Sequence, residues 1–142
     1  MKPTIHRMLL RAFTAQRNRV RPAMSAIGLS PGQPKILDHL AHCERCIQKD
    51  LAAVCEIEPA TVSKLVDGME SSGLVRREPS PADRRSGCVV ITEKGRELQR
   101  KAEKEFAVID SEELAGFTPE EAAAFHSYLS RLYKNLTGKD AE

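Results

Sequence analysis

The chain has 142 residues, with 22 Lys and Arg against 20 Asp and Glu, a formal net charge of +2 and 41% hydrophobic residues. That length suits one domain with a modest core, and the composition fits a soluble globular protein rich in helix. No run approaches the roughly 18 consecutive apolar residues of a membrane span. The N-terminal stretch MKPTIHRMLLRAF lacks the apolar run and small-residue cleavage site of a secretory signal, so a cytoplasmic location is expected.

In chain order, Ile5, Met8, Leu9, Ala12, Phe13, Val20, Met24 and Ile27 share one helical stripe over residues 4–27. Pro22 is expected to kink or divide this helix, and Gly28 to stop it. Ser30-Pro31-Gly32-Gln33 reads as the start of a second helix, with Ser30 capping and Gln33 completing a capping box, through Ile36, Leu37 and Leu40 to about Arg45. A short helix over Gln48 to Val54 is followed by a turn at residues 55–58. Pro59 then opens a helix with an apolar stripe of Val62, Leu65, Val66 and Met69, ended by Gly73.

Two strands follow, residues 74–77 and 88–91, joined by a polar loop that contains Pro79, Pro81 and the pair Arg84-Arg85. Thr92 caps a long helix bearing Leu98, Ala102, Phe106 and Ile109, and Gly116 breaks it. Thr118-Pro119-Glu120-Glu121 is a capping box for a last helix with Phe125, Leu129, Leu132 and Leu136 on one side.

Leu51, Ala52, Cys55, Ile57, Val62 and Leu65 have the spacing of a helix-turn-helix, with small Ala52 allowing close approach. If the Val62–Met69 stripe faces inward, Thr61, Ser63 and Lys64 face outward near the helix N-terminus, the end that enters a major groove in this docking mode. Lys64 suits a phosphate or guanine edge, and Thr61 and Ser63 suit base edges or phosphates. A proline-stiffened loop ending in paired arginines suits a narrow, negative minor groove. The expected fold class is therefore mostly α with a small β-hairpin, a winged helix-turn-helix. The charge distribution agrees: residues 1–57 carry 9 Lys/Arg against 4 Asp/Glu, whereas residues 97–142 carry 6 against 10, an acidic third expected to face away from DNA. The terminal helices carry apolar stripes that so small a core cannot cover, which points to a homodimer built through them.

The run LAAVCEIEPATVSKLVDGMESSGLVRREPSPADRRSGCVVITEKG, residues 51–95, resembles the MarR family of bacterial transcriptional regulators, and Gly28-Leu29-Ser30-Pro31 extends the likeness. The resemblance implies a homodimer held by N- and C-terminal helices (1–28 and 117–142), a winged-helix region (29–95) and a linking helix (96–116). It implies a repressor, less often an activator, of nearby genes, acting on a palindromic operator and released by a small ligand. Carried over by position, Arg85 enters the minor groove, Asp83 holds the wing in shape and Arg84 contacts phosphate. Three positions depart from the family pattern: Glu56, where glycine is common, and Glu58 and Ile47, which precede helices without a good capping side chain. Family members often take aromatic or phenolic ligands, but with no Trp and 4% aromatic residues a stacking pocket is not evident here.

His39, His42, Cys43 and Cys46 form H-x2-H-C-x2-C. Cys43, Cys46 and His42 are candidates for a redox or metal switch, the alternative being ordinary structural roles; the crowding of all four at one helix end is unlike a structural zinc site. Cys55 reads as a small core hydrophobe and Cys88, at the start of a strand, as outward-facing. No Gly-rich phosphate loop, activated serine or zinc-hydrolase motif appears, so the sequence calls for no cofactor and no enzyme. An interaction module using the same fold without DNA is the remaining class.

Overall fold

The computed structural model describes residues 1–80 and 87–141. Its elements are α1 (Ile5–Ala26), α2 (Gln33–Cys43), β1 (Arg45–Ile47), α3 (Gln48–Cys55), α4 (Pro59–Ser71), β2 (Val75–Glu78), β3 (Cys88–Ile91), α5 (Glu93–Glu113) and α6 (Pro119–Thr137). They fall into two compact units, residues 1–107 and 108–142.

The helix boundaries follow from local chemistry. Thr4 accepts from the Arg7 amide to start α1. The same helix ends in a Schellman motif: Gly28 has φ +90, Leu29 N donates to Met24 O at 2.9 Å, and Gly28 N donates to Ser25 O at 3.0 Å. Gly73 ends α4 in the same way, with Leu74 N donating to Met69 O. Contrary to expectation, Pro22 does not divide α1, which stays a single helix through Ala26. Pro22 is exposed, so water can satisfy the carbonyl that its missing N–H frees, while Ala23 and Met24 pack inward.

The start of α2 also differs from the expectation. Half of the capping box forms, with Ser30 N donating to Gln33 Oε1 at 3.0 Å, but the helix begins at Gln33 after Gly32 in the left-handed region. A Cβ on Gly32 would lie 2.8 Å from Leu65 Cδ1. The chain thus enters α2 through a glycine that lets the loop close onto α4.

The sheet has three antiparallel strands in the order β1-β3-β2. β1, a segment expected to be helix end and linker, pairs Cys46 with Val89 and Ile47 with Cys88. With β3 flanked on both sides, Cys88 is buried rather than outward-facing.

The core of the first unit gathers Ile36, Leu37, Leu40, Leu51, Val62, Val66, Met69 and Val89, all fully buried. Cys55 is among them, as expected. Thr92 joins α5 to this core. Its hydroxyl accepts from Gly95 N at 3.1 Å and lies 2.6 Å from Gly73 O and 3.0 Å from Leu74 O. Lys94 Nζ donates to Ser72 O at 2.7 Å, so two consecutive features of the Thr-Glu-Lys-Gly run close the end of α4.

In the second unit, Thr118 and Glu121 form the expected capping box, and Phe117 packs edge-on against Phe125. α6 has no buried residue: Phe125, Tyr128, Leu129 and Leu136 are exposed. On α1, Ile5, Met8, Leu9, Leu10 and Phe13 are exposed as well. No helix among the described residues is long and apolar enough to cross a membrane.

Candidate nucleic-acid interface and adjoining cleft

α3 and α4 form the helix-turn-helix. Leu51, Ala52, Cys55 and Val62 are buried between them, and Ile57 and Leu65 pack at the edge of the same cluster. The turn closes with Ile57 N donating to Ala52 O at 3.1 Å and Glu56 N to Ala53 O at 3.3 Å, a Schellman motif with Glu56 at φ +53 where glycine would be unstrained. That conformation costs a non-glycine residue about 1 kcal/mol. Neither Ile47 nor Glu58 makes a side-chain cap bond, as their chemistry implies.

On α4, Thr61 and Lys64 are exposed and Ser63 is half-buried, all in the first half of the helix. The other members of the candidate site, Asp83, Arg84 and Arg85, lie outside the described residues. Their supporting strands do not. Glu78 Oε2 takes Arg45 Nη2 at 3.1 Å and Glu78 Oε1 takes Arg76 Nε at 3.0 Å. Arg45 and Arg76 lie on either side of Val90 in register, so one carboxylate bridges two guanidiniums across the sheet. On β2, Arg77 Nη1 donates to Asp67 Oδ1 at 2.7 Å and Nη2 to Gln48 Oε1 at 3.1 Å.

A cleft of about 580 Å³ lies between α1, the α1–α2 loop, α2 and α5, within the first unit. Its apolar lining includes Phe13, Val20, Met24, Ala102 and Phe106; Arg17, Arg21, Lys35, Asp38, Gln99 and Glu103 bring polar groups. Gln99 Nε2 donates to Asp38 Oδ1 at 3.4 Å. The volume is that of a small-molecule site. The cavity is not legible in the sequence, because its two phenylalanines are 93 residues apart and only the helix packing brings them together. Pro31 and Gly32 line the cleft on one side, and Gly32 lies against Leu65 of α4 on the other, so the cleft wall and the helix-turn-helix share a contact.

The cysteine and histidine cluster is looser than its spacing implies. His42 is exposed and its Nδ1 donates to Asp38 O at 2.7 Å. Cys43 is exposed and Cys46 is half-buried on β1. Burial, with Cys43 nearby as the next cause, pushes the Cys46 thiol up to about 11, so it stays protonated at neutral pH. Burial also raises Cys55. Among the described residues no three His, Cys, Asp or Glu side chains come together as a metal site requires.

This architecture is that of a winged helix-turn-helix protein. Residues 27–86 match the model of the MarR family. The chain is 31% identical over 114 residues to the HTH-type transcriptional regulator YdgJ of Bacillus subtilis, covering 80% of this chain and 70% of that one. A MarR family regulator from Silicibacter pomeroyi superposes with a TM-score of 0.74 at 28% identity, covering 90% of this chain and 86% of that one. A mutant MarR from E. coli, solved in complex with operator DNA, has the same fold, with a TM-score of 0.81 at 19% identity and coverage of 90% and 92%. The chain belongs to the MarR family of transcriptional regulators.

Proposed function

We propose that this protein is a sequence-specific, double-stranded-DNA-binding repressor that acts as a homodimer in the cytoplasm and is released from a palindromic operator by a small ligand. The observation that carries the reading is the exposed pair Thr61 and Lys64 at the N-terminal half of a helix whose other face is sealed into the core. Ser63 sits beside them with half its surface free. That half of α4 enters the major groove, while the wing loop reaches the minor groove with Arg85, contacts phosphate with Arg84 and keeps its shape through Asp83.

Residues 1–28 and 117–142 supply the dimer contacts. The exposed apolar residues of α1 and α6 support this, since a stripe of that size in water is unfavourable and a second copy would cover it. Residues 29–95 form the reading head and 96–116 the link. The cleft beside α1, α2 and α5 is the effector site, and its phenylalanines and basic side chains suit a small aromatic compound. The approach of Gly32 to Leu65 links the wall of that cleft to α4. The alternative, a redox or metal switch at Cys43, Cys46 and His42, is weakened at Cys46, whose buried thiol is held protonated and so lacks the thiolate that exchange and metal binding use.

The test is fluorescence anisotropy of the reduced protein on the duplex upstream of its own gene, with excess unrelated competitor DNA. Binding that resists competitor supports the reading. Binding abolished by competitor on that duplex and on every other neighbouring intergenic duplex refutes sequence-specific recognition and favours an interaction module.

A further inference from the structure

Arg77 lies on β2 yet makes its side-chain contacts on two helices. Nη1 donates to Asp67 Oδ1 at 2.7 Å and lies 3.4 Å from Glu70 Oε1, both on α4. Nη2 donates to Gln48 Oε1 at 3.1 Å, on the first residue of α3. The backbone amide of Arg77 donates to Glu70 Oε2 at 2.9 Å. The Arg77 side chain is 27% exposed, whereas the Asp67 side chain is 63% exposed and lies one helical turn beyond Lys64. One side chain therefore ties both helices of the helix-turn-helix to the strand that leads into the wing loop.

We propose that Arg77 is a positioning residue for DNA recognition: it fixes the angle of α4 against β2 and α3, so that Thr61 and Lys64 meet the major groove in the reading orientation. The inference rests on the DNA-binding reading above. Its chemistry is specific to arginine, because a planar guanidinium serves several acceptors in fixed directions and a lysine ammonium is a single point charge on a flexible stem. A direct phosphate contact is a different role with a different signature, since each phosphate partner removed lowers the salt slope of binding by about 0.9.

The probe is a duplex enriched by the wild-type protein from a random-sequence pool, with a random duplex of equal length as the non-specific control. If the wild type enriches nothing, the DNA-binding reading itself fails, and that outcome is separate from those that follow. Arg77→Gln and Arg77→Lys are expected to weaken binding to the enriched duplex by roughly tenfold or more, with binding to the random duplex nearly unchanged and the salt slope preserved. Asp67→Asn approaches the same pair from the other side. Loss of a negative charge near DNA would by itself tighten binding; the positioning role predicts weaker binding to the enriched duplex. Full rescue by lysine, a salt slope smaller by about one unit, or tighter binding by Asp67→Asn would each overturn the proposal. So would equal losses on enriched and random duplexes that track a fall in melting temperature, which would make Arg77 a general stability residue.

Discussion

Gly95 and Gly68 both lie inside helices, and alanine should act on them with opposite sign. In a helix interior alanine is favoured over glycine by about 1 kcal/mol. At Gly68 of α4 a new Cβ would meet only Gln33 Nε2, at 3.8 Å, an ordinary contact. Gly68→Ala should therefore keep most of that gain, a stabilisation of about 0.5–1 kcal/mol. At Gly95 of α5 the Cβ would fall 2.1 Å from the Leu74 carbonyl oxygen and 2.9 Å from Ile91 Cγ1. Comfortable carbon-to-oxygen contacts begin near ~3.3 Å, so more than an ångström must be recovered. The carbonyl cannot retreat freely, because Thr92 N donates to it at 3.1 Å and the Thr92 hydroxyl lies 3.0 Å away. Overpacking together with loss of these bonds should cost about 3–5 kcal/mol, leaving Gly95→Ala destabilised by about 2–4 kcal/mol after the helix-propensity gain. Urea unfolding followed by circular dichroism at one fixed protein concentration measures both variants. A Gly95→Ala midpoint at or above the wild type, with unchanged slope, would refute the close approach of α5 to the end of α4.

Three further outcomes follow from the same structure. Because the Cys46 thiol is pushed up to about 11 from its usual 9.0, the folded state keeps a proton that the unfolded chain loses. That contribution is fully present below pH 9 and is lost as pH rises through the folded value, so stability should fall between about pH 9 and 11, and less steeply in Cys46→Ala; identical pH profiles in urea unfolding would contradict the shift. Leu9→Glu places a charge among the exposed apolar residues of α1 and should shift the protein toward monomer in analytical ultracentrifugation, whereas an unchanged mass would remove α1 from the dimer contact. Arg85→Ala should weaken binding to an enriched duplex by about 1–3 kcal/mol, read by anisotropy titration, and an unchanged affinity would take Arg85 out of the groove.

Much of this fold could be read locally because its boundaries are set locally. The Gly28 and Gly73 stops, the Thr118 capping box, the Thr92 cap and the apolar stripe of α4 each need only residues within one or two turns. β1 is set by the opposite kind of cause. Arg45-Cys46-Ile47 has no alternation of its own and is a strand only because β3, more than 40 residues later, offers it an edge. The same long-range pairing buried Cys88, which local alternation placed outside. The start of α2 shifted because Gly32 closes onto Leu65 of a helix not yet encountered in chain order. The helix part of the candidate interface was legible, since the outward positions of α4 follow from its buried stripe. Arg77 was not, because its partners Gln48, Asp67 and Glu70 are separated in sequence and read singly as solvated surface. The cleft was likewise invisible until α1 and α5 were packed together.

On the proposed function, α4 and the wing loop read a twofold DNA sequence. Selection of duplexes from a random-sequence pool by the folded, reduced protein, followed by sequencing, tests it most directly. A twofold reader should enrich a consensus with two inverted half-sites whose centres lie about 10 base pairs apart, one turn of the double helix. A bound pool indistinguishable from the starting pool, from protein shown to be folded and dimeric, would contradict it.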